Sequence, residues 1–280
     1  MKRVLITGAG GFVGSRVLQQ WQGKYELCAF PKGFLCTATE TEVLAQTRAR
    51  DPDVILHTAA LSDTGYCAQH PAEAYRANVE LPVWLARAAQ QTKAKLVAFS
   101  SDQVYAGTKQ QDPLSEALDL HPANIYGRYK LEEEQRVLEL CPDSVHLRAS
   151  WMYDLPGYGL PIRGNLPLNL LRAALKGEAV RFSRNDFRGV TYVRQVIENL
   201  EPAMDLPGGV YNFGSGNAED MVCTARWFAK ALGITVKITE ESWERNLVMD
   251  AAKLERSGIR FAATQQGIRC CLQDYGLSDL

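Results

Sequence analysis

The sequence has little of what marks a nucleic-acid-binding or membrane protein. Its 31 basic and 32 acidic side chains nearly balance, for a formal net charge of −1. No block of like charges occurs, so we expect neither nucleic acid nor a membrane surface as the main partner. No apolar run approaches the roughly 18 residues that a membrane-spanning helix requires. Because a predicted strand begins at the third residue, we also expect no signal or transit peptide.

Cysteines are few, and they are not arranged as metal ligands or as disulfide pairs. The chain has 7, an odd number without metal-site spacing, and the adjacent Cys270 and Cys271 are not a C-x-x-C pair. This pattern favours reduced thiols, a cytoplasmic location and no bound metal. The length of 280 residues suffices for one large α/β domain with a small lobe.

A glycine-rich loop follows the first predicted strand. Residues 4–6 are aliphatic, the glycines come next, and the apolar spacing then becomes helical. Strand, glycine turn and helix in this order are the context in which a glycine motif binds a dinucleotide, although the glycines alone would also suit an ordinary tight turn. The spacing is G-x-x-G-x-x-G rather than the commoner G-x-G-x-x-G. We predict that the loop holds a cofactor's pyrophosphate at the helix start, through Gly8, Gly10, Gly11, Phe12, Val13 and Gly14.

The end of the second predicted strand bears on the choice between NAD and NADP. A carboxylate near this point would bind the adenosine ribose of NAD. The strand, residues 25–30, instead runs into Pro31, Lys32 and Gly33. Two interpretations of Lys32 remain: it binds the 2′-phosphate of NADP, or it is a solvated turn lysine. The cofactor prediction is therefore NADP or NAD, with a slight preference for NADP.

Small and polar side chains follow the third and fourth predicted strands, at 54–57 and 95–99. Open α/β sheets bind ligands at the carboxyl ends of their strands. Small side chains after the third strand would let a cofactor lie close, and polar ones after the fourth would face a ligand. These residues are Thr58, Ala59, Ala60, Ser100, Ser101, Asp102 and Gln103.

Four further polar residues are candidates with competing interpretations. His57 is either catalytic or, as we favour, a packed and hydrogen-bonded strand-end residue. Asn78, inside a predicted helix at 71–91, is either a surface residue or a tie to a neighbouring strand end. Tyr126 and Lys130 open a later helix and lie one turn apart on one face. Such a pair also occurs by chance on many surface helices.

The remaining pattern predicts an α/β fold. At least six strands alternate with helices, which is typical of a Rossmann-type, doubly wound parallel sheet. The stretch 151–164 is rich in glycine and proline and predicts a lid. We expect a dinucleotide-binding domain and a smaller, loop-rich substrate lobe. The domain comprises 1–150 with 190–235 returning to it, and the lobe 151–189 with 236–280.

Several separated motifs, taken together, resemble the extended short-chain dehydrogenase/reductases. They occur in that family's order and spacing over the first 150 residues. No single one of them is specific, but the combination is. The motifs are Thr7-Gly8-x-x-Gly11-Phe12-Val13-Gly14, His57-Thr58-Ala59-Ala60, Asn78, Ser100-Ser101-Asp102-x-Val104-Tyr105 and Tyr126-Gly127-x-x-Lys130.

This resemblance implies a Ser/Tyr/Lys apparatus for hydride transfer. Ser101 would hold the substrate oxygen, and Tyr126 would pass a proton to or from it. Lys130 would bind the nicotinamide ribose and, with the oxidised nicotinamide, lower the pKa of the Tyr126 phenol. The cofactor contacts that the family implies beyond the glycine loop are Thr58, Ala59, Ala60, Asn78, Ser100, Tyr126 and Lys130.

Within the family, the residues after Ser101 favour a reductase. Sugar-nucleotide dehydratases carry an acidic pair there, whereas this chain has Asp102 followed by Gln103. This run and the segment 148–153 are similar to those of dTDP-4-dehydrorhamnose reductases, which reduce a keto group of a sugar nucleotide. Two alternatives stay open. One is a sugar-nucleotide epimerase with tightly bound NAD, and the other is a non-catalytic NAD(P)-binding regulatory subunit.

The lobe is expected to contact the substrate. The planar guanidinium donates two bonds to a phosphate, so Arg163 and Arg188 either bind a diphosphate or are solvated loop residues. The resemblance also implies a homodimer through the helices that carry Asn78 and Tyr126. The predicted substrate-binding residues are Asp102, Gln103, Trp151, Arg163, Asn165 and Arg188.

Overall fold

The computed structural model describes residues 1–277 of the chain, which form twelve strands and twelve α-helices. The strands are β1 (Arg3–Thr7), β2 (Glu26–Ala29), β3 (Val54–His57), β4 (Lys95–Ser101), β5 (Val145–Ala149), β6 (Trp151–Tyr153), β7 (Ala179–Ser183), β8 (Asp186–Arg188), β9 (Val190–Tyr192), β10 (Gly209–Phe213), β11 (Lys237–Glu241) and β12 (Arg245–Leu247). The helices are α1 (Phe12–Gln20), α2 (Phe34–Thr37), α3 (Glu40–Arg50), α4 (Thr64–Gln69), α5 (Pro71–Tyr75), α6 (Leu81–Thr92), α7 (Ile125–Leu140), α8 (Leu166–Lys176), α9 (Val193–Ala203), α10 (Met221–Ala231), α11 (Ala252–Arg256) and α12 (Thr264–Asp274).

Six strands form one parallel sheet in the order β2-β1-β3-β4-β5-β10. The chain enters the sheet at β1, adds β2 on one side and then returns to add β3 on the other side. This reversal opens a crevice at the carboxyl ends of β1 and β3, where open α/β sheets bind ligands. The arrangement confirms the predicted Rossmann-type, doubly wound parallel sheet.

The alternating side chains of β1 point into two cores, one on each face of the sheet. Val4 and Ile6 pack with residues of α1 and α9, whereas Leu5 packs with residues of α3 and α6. Every residue of β3 and β5 is buried. Inner strands covered on both faces have this property, which explains the apolar run of β3. In β5 the buried residues include His146 and Arg148.

A smaller set of elements follows β5. Three two-stranded parallel ladders pair β6 with β9, β7 with β11 and β8 with β12. Helix α10 packs against α8, α12 and β7, whereas α9 packs against α1. The segment 190–235 therefore contributes β10 and α9 to the sheet and α10 to the smaller set. The division into two domains stays a prediction.

The helix predicted at 71–91 is interrupted by a turn of π-helix (Arg76–Glu80) between α5 and α6. Asn78 is buried in this turn, and its side-chain amide forms hydrogen bonds with the backbone N–H and the backbone carbonyl of Leu61. Its Oδ1 accepts from the Leu61 N–H at 3.1 Å and its Nδ2 donates to the Leu61 carbonyl at 2.9 Å. The apolar spacing on either side stays helical, so periodicity alone did not predict this turn.

The composition predicted reduced cysteines and no membrane-spanning helix. All 7 cysteines carry free thiols. No helix in residues 1–277 is long and apolar enough to cross a membrane.

Candidate active site

A cleft of about 840 Å³ lies at the carboxyl ends of β1, β3 and β4. Its walls also include the loop before α8 and parts of β6, β8 and β12. Among the residues that the sequence singled out, those that line the cleft are Gly8, Gly11, Phe12, Val13, Thr58, Ala59, Ala60, Ser100, Ser101, Asp102, Gln103, Tyr126, Trp151, Arg163 and Arg188. Most of the residues predicted from separate motifs therefore meet at one place.

The glycine loop lets α1 begin directly against the end of β1. Gly8 has a φ of +67°, and a Cβ on Gly14 would lie 2.3 Å from the Gly8 carbonyl oxygen. Only glycine permits the second approach, because a real Cβ is never that close to an oxygen. Gly10 is exposed beside the cleft and Gly14 supports it from within the helix, so neither lines it.

The start of α1 fits a pyrophosphate. Gly11 is the N-cap residue and no side chain caps the helix, so the first backbone N–H groups, at Phe12 and Val13 in the cleft wall, are available to an anion. The positive end of the helix dipole lies at the same point. The donor set and the tight glycine turn suit the phosphates of a dinucleotide.

The end of β3 is fastened to the end of β1. The Thr7 hydroxyl lies 2.7 Å from His57 Nδ1, and the Thr58 hydroxyl donates to the Thr7 carbonyl at 2.7 Å. His57 is buried beside the cleft, and burial lowers its pKa to about 3, with a further contribution from Lys130. His57 is therefore neutral and hydrogen-bonded, in agreement with the packed interpretation.

Asn78 and Lys32 lie outside the cleft wall. Asn78 holds Leu61 and so fixes the path of the chain after Ala60. Lys32 is exposed in the turn after β2. Nearby, the Arg50 guanidinium lies 5.1 Å from the Phe30 ring centre, so the turn carries two positive charges. Their role in cofactor choice stays a prediction.

Ser101 ends β4 at a turn that is packed tightly against the start of α7. The Ser101 hydroxyl accepts from the Gln103 N–H at 3.2 Å, and the Asn124 side chain donates to Gln103 Oε1 at 3.1 Å. Asn124 also caps α7 by accepting from the Gly127 N–H at 2.7 Å. These bonds fix Ser101 and Tyr126, the second residue of α7, on the same side of the cleft.

Tyr126 lines the cleft, and Lys130 lies behind it. Burial raises the pKa of the Tyr126 phenol, and the opposing effects of Lys130 and of the neighbouring Ser101 hydroxyl are smaller. Lys130 therefore acts in the expected direction, but without a cofactor burial outweighs it and Tyr126 keeps its proton. The Lys130 ammonium is 1% exposed and pairs with Glu133.

A second buried network supports Ser100. Arg148 forms a two-bond ion pair with Glu134, at 2.6 Å from Nη2 and 3.0 Å from Nε. The Ser100 hydroxyl donates to the same carboxylate. Arg148 also donates to the Tyr105 hydroxyl at 2.8 Å. The end of β4 is therefore held by β5 and α7 together.

The loop before α8 places Arg163 over the glycine loop. Arg16 of α1 fixes this loop by donating to Asp154 at 2.7 Å and to the Pro161 carbonyl at 3.0 Å. The Arg163 guanidinium then lies 5.1 Å from the Phe12 ring centre and donates to the Ser62 hydroxyl at 3.1 Å. Burial lowers its pKa. Within residues 1–277 no carboxylate forms an ion pair with it.

Arg188 and Trp151 form the opposite wall. The Arg188 guanidinium lies 5.0 Å from the Trp151 ring centre and pairs with Asp102 at 2.8 Å. Its Nε has no hydrogen-bond partner among residues 1–277. Arg188 is buried and paired, so the interpretation as a solvated loop residue does not apply to it.

Asn165 differs from its expected place. It is fully buried and caps α8 by accepting from the Leu168 N–H at 3.0 Å, while its Nδ2 donates to the Asp154 carbonyl at 3.0 Å. All of its polar atoms are used within the protein and it does not line the cleft. A substrate contact from Asn165 is therefore not available in this arrangement, and its N-cap position before an apolar helix was the signal for this role.

Sequence reasoning missed three charged residues of the site. Arg245 lines the cleft and is held by the fully buried Asp186 at 2.8 Å. Glu133 and Glu134 lie under the cleft on α7. The positions of the two glutamates at three and four residues after Lys130 indicated the same helix face, but Arg245 lies in a segment without a recognisable motif.

Comparison with known proteins places the chain in a family. Residues 1–267 match the family model described as RmlD substrate binding domain. The chain is 27% identical to the spore coat polysaccharide biosynthesis protein SpsK of Bacillus subtilis over 98% of both chains. It is 29% identical to a dTDP-4-dehydrorhamnose reductase of Aggregatibacter actinomycetemcomitans over 76% of this chain and 73% of that one.

The fold is similar to a solved structure of a dTDP-4-dehydrorhamnose reductase from Bacillus anthracis in complex with NADP. The TM-score is 0.88 at 23% identity, covering 98% of this chain and 99% of that one. At this identity the likeness establishes the fold. With the family match over residues 1–267, it follows that the chain belongs to the RmlD substrate binding domain family, among the extended short-chain dehydrogenases/reductases.

Proposed function

We propose that the protein is an NAD(P)-dependent oxidoreductase that reduces a keto group of a sugar nucleotide. The observation that carries this proposal is the meeting of Ser101, Tyr126 and the glycine loop in one cleft, with Lys130 buried behind Tyr126. The dTDP-4-dehydrorhamnose reductases among its relatives support the same reaction. An enzyme of this kind would act on a small molecule, without nucleic acid or a membrane as partner.

The roles of the side chains follow from their protonation. A bound dihydronicotinamide supplies a hydride to the carbonyl carbon. As the carbon–oxygen π bond breaks, the oxygen takes the Tyr126 proton, which burial keeps on the phenol. Ser101 donates a hydrogen bond to the same oxygen and orients it. The product is an alcohol, and the tyrosinate regains its proton from solvent.

A diphosphate-linked substrate suits the positive wall of the cleft. Arg163, Arg188 and Arg245 line it together with Asp63 and Asp102. Arg188 and Arg245 already have carboxylate partners, whereas Arg163 has a hydroxyl partner only, as far as residues 1–277 show. We infer that Arg163 binds a phosphate oxygen and that Trp151, Gln103 and Arg188 contact the rest of the substrate.

NADP is the cofactor that we prefer, and NAD is the alternative. The start of α1 suits the pyrophosphate of either one. Lys32 and Arg50 near the end of β2 favour the additional 2′-phosphate of NADP, because no carboxylate occupies residues 30–33.

Two measurements test the proposal. Thermal-shift titrations with NADPH and NADH should show stabilisation by at least one of them, and stabilisation by neither would refute dinucleotide binding. Absorbance should then show consumption of NADPH with dTDP-4-dehydrorhamnose. The Tyr126→Phe protein should lose about 10²–10⁴-fold in turnover but still bind NADPH. Interconversion of sugars without net consumption of cofactor would favour an epimerase instead.

Two further expectations belong to this proposal. A homodimer would form through the surface of the helices that carry Asn78 and Tyr126, and light scattering of the purified protein would measure its mass. A cytoplasmic location is supported by the 7 free thiols.

A further inference from the structure

A buried carboxylate lies directly behind the Tyr126–Lys130 pair and is not used in the proposed reaction. Glu133 follows Lys130 by about one turn of α7. The Glu133 side chain is completely buried, and the Lys130 side chain is 1% exposed. The Lys130 ammonium pairs with the Glu133 carboxylate. A full carboxylate in such a place is costly unless its charge is compensated.

Besides Lys130, the neighbour that does most to stabilise the Glu133 carboxylate is His146. His146 of β5 is fully buried, and its Nδ1 lies 3.5 Å from Glu133 Oε1, while its Nε2 lies 3.2 Å from the buried Ser144 hydroxyl. His57 of β3 faces the same space as a neutral ring. Glu134, the other acidic residue on this face of α7, forms an ion pair with Arg148. Lys130 is therefore the counter-charge of Glu133.

The pairing fixes both charges. Burial lowers the pKa of Lys130, but the nearby Glu133 outweighs it and raises that pKa. Burial likewise raises the pKa of Glu133, but Lys130, with further contributions from His146 and His57, lowers it to about 2. The other charges that face Tyr126 are Asp102, which is paired with Arg188, and Arg163 of the loop before α8.

We propose that Glu133 is a positioning residue. It holds the Lys130 ammonium behind Tyr126 and offsets its charge, so that Tyr126 stays a protonated donor. The cluster does not lead to solvent, because His146 and Ser144 are both fully buried, which distinguishes this role from a proton relay. The inference rests on the proposed function for its consequence: a phenol that keeps its proton suits reduction of a ketone rather than oxidation of an alcohol.

The size of the effect follows from the helix. Tyr126 and Glu133 are seven residues apart, or about 10 Å along the axis at roughly 1.5 Å per residue. At an effective dielectric constant of about 20, one charge at that distance shifts a pKa by about one unit. Glu133→Gln should therefore lower the pKa of Tyr126 by about one unit, since the ammonium then acts unopposed.

The experiment is a pH titration of Tyr126 in the cofactor-free protein. Tyrosine labelled with ¹³C at Cζ gives an NMR signal that moves on ionisation, and the Tyr126→Phe spectrum assigns it. Glu133→Gln should lower the midpoint, and Glu133→Asp should restore it toward the wild-type value. Glu132→Gln is the matched control, because Glu132 is the preceding residue of α7 but is partly exposed and accepts from the Tyr75 hydroxyl at 2.7 Å. In this variant the midpoint of the Tyr126 titration should not change.

Each outcome decides the inference. A midpoint in Glu133→Gln that is unchanged or higher overturns it, since a purely structural role moves stability and not the titration. If Glu133→Gln does not fold, Glu133→Met, which also removes the charge at similar volume, should lower the midpoint, and a midpoint identical to wild type overturns the inference. The titration needs no substrate. A lowered midpoint in a protein that consumes no NADPH with any keto sugar nucleotide would refute the proposed function but not the charge offset.

Discussion

Substituting Gly127 tests whether the contact between α7 and the Ser101 turn positions Tyr126. Gly127 is the third residue of α7, and a Cβ there would lie 2.2 Å from the Gln103 carbonyl oxygen and 2.9 Å from the Pro122 Cβ. An ordinary carbon–oxygen contact is longer by about 1 Å. In Gly127→Ala the start of α7 and the Ser101 turn must therefore separate by about that distance.

Two effects of opposite sign contribute to the stability of this variant. Alanine is favoured over glycine within a helix by about 0.5–1 kcal/mol. Forcing an extra methyl group into a packed contact costs about 1–3 kcal/mol. Because the contact is with backbone on one side and a proline on the other, we expect the second effect to dominate. The net loss should be about 1–2 kcal/mol in the free energy of unfolding.

The effect on turnover should be larger than the effect on stability. A displacement of about 1 Å between Tyr126 and Ser101 is expected to lower kcat about 100-fold. The pyrophosphate site should be unaffected, because the Gly8 loop lies on other elements. The assays are urea unfolding, NADPH titration and steady-state kinetics with the keto sugar nucleotide.

The control is Gly267→Ala within α12, where a Cβ would lie 3.2 Å from the Tyr153 hydroxyl and 3.8 Å from side-chain atoms of Gln195 and Tyr192, with no backbone closer. This variant should unfold within about 0.5 kcal/mol of wild type and keep its turnover. The reasoning is refuted if Gly127→Ala is as stable as wild type or more stable, as helix propensity alone predicts, and keeps full turnover.

Three further substitutions test the charges of the site. Arg148→Met leaves the Glu134 carboxylate buried without its partner and should lower the free energy of unfolding in urea by about 3–5 kcal/mol. Adding Glu134→Gln should restore much of this free energy. Equal stability of the single and double variants would contradict this prediction. Burial lowers the pKa of His57 from 6.5 to about 3. Between these pH values the unfolded chain binds more protons than the folded protein, so the free energy of unfolding decreases as the pH falls. In urea titrations at a series of pH values, His57→Gln should show a smaller decrease than wild type. Arg163→Met should raise KM for the sugar nucleotide about 10–100-fold, or roughly 1.4–2.8 kcal/mol, without lowering Tm, and an unchanged KM would remove Arg163 from the substrate site.

The sequence identified most of the cleft because its residues follow strand ends. Thr58, Ser101 and the glycine loop come directly after apolar runs, and in a parallel sheet the carboxyl ends of neighbouring strands lie at one edge. The local pattern together with the direction of the strands was sufficient for these residues. The spacing of Tyr126 and Lys130 only placed them on one helix face, and their role came from the family resemblance.

Other residues depended on contacts that local patterns do not specify. Asn165 was predicted to contact the substrate, but its side chain caps α8. The π-turn at Arg76–Glu80 left the apolar spacing on both sides unchanged. Arg245 belongs to a short strand, and its partner in β8, Asp186, is 59 residues earlier.

The sequence by itself determined the doubly wound sheet and the glycine loop at the start of α1, because helix and strand periods and turn residues act over short distances. The Ser101, Tyr126 and Lys130 set followed from the resemblance of the combined motifs to the extended short-chain dehydrogenase/reductases. Only the tertiary structure decided the charges behind them. Lys130 and Glu133 are neighbours on α7, but their burial and the proximity of His57 and His146 require β3, β5 and α7 to be packed together. The protonation of Tyr126 depends on burial and on these charges, and both exist only in the folded chain.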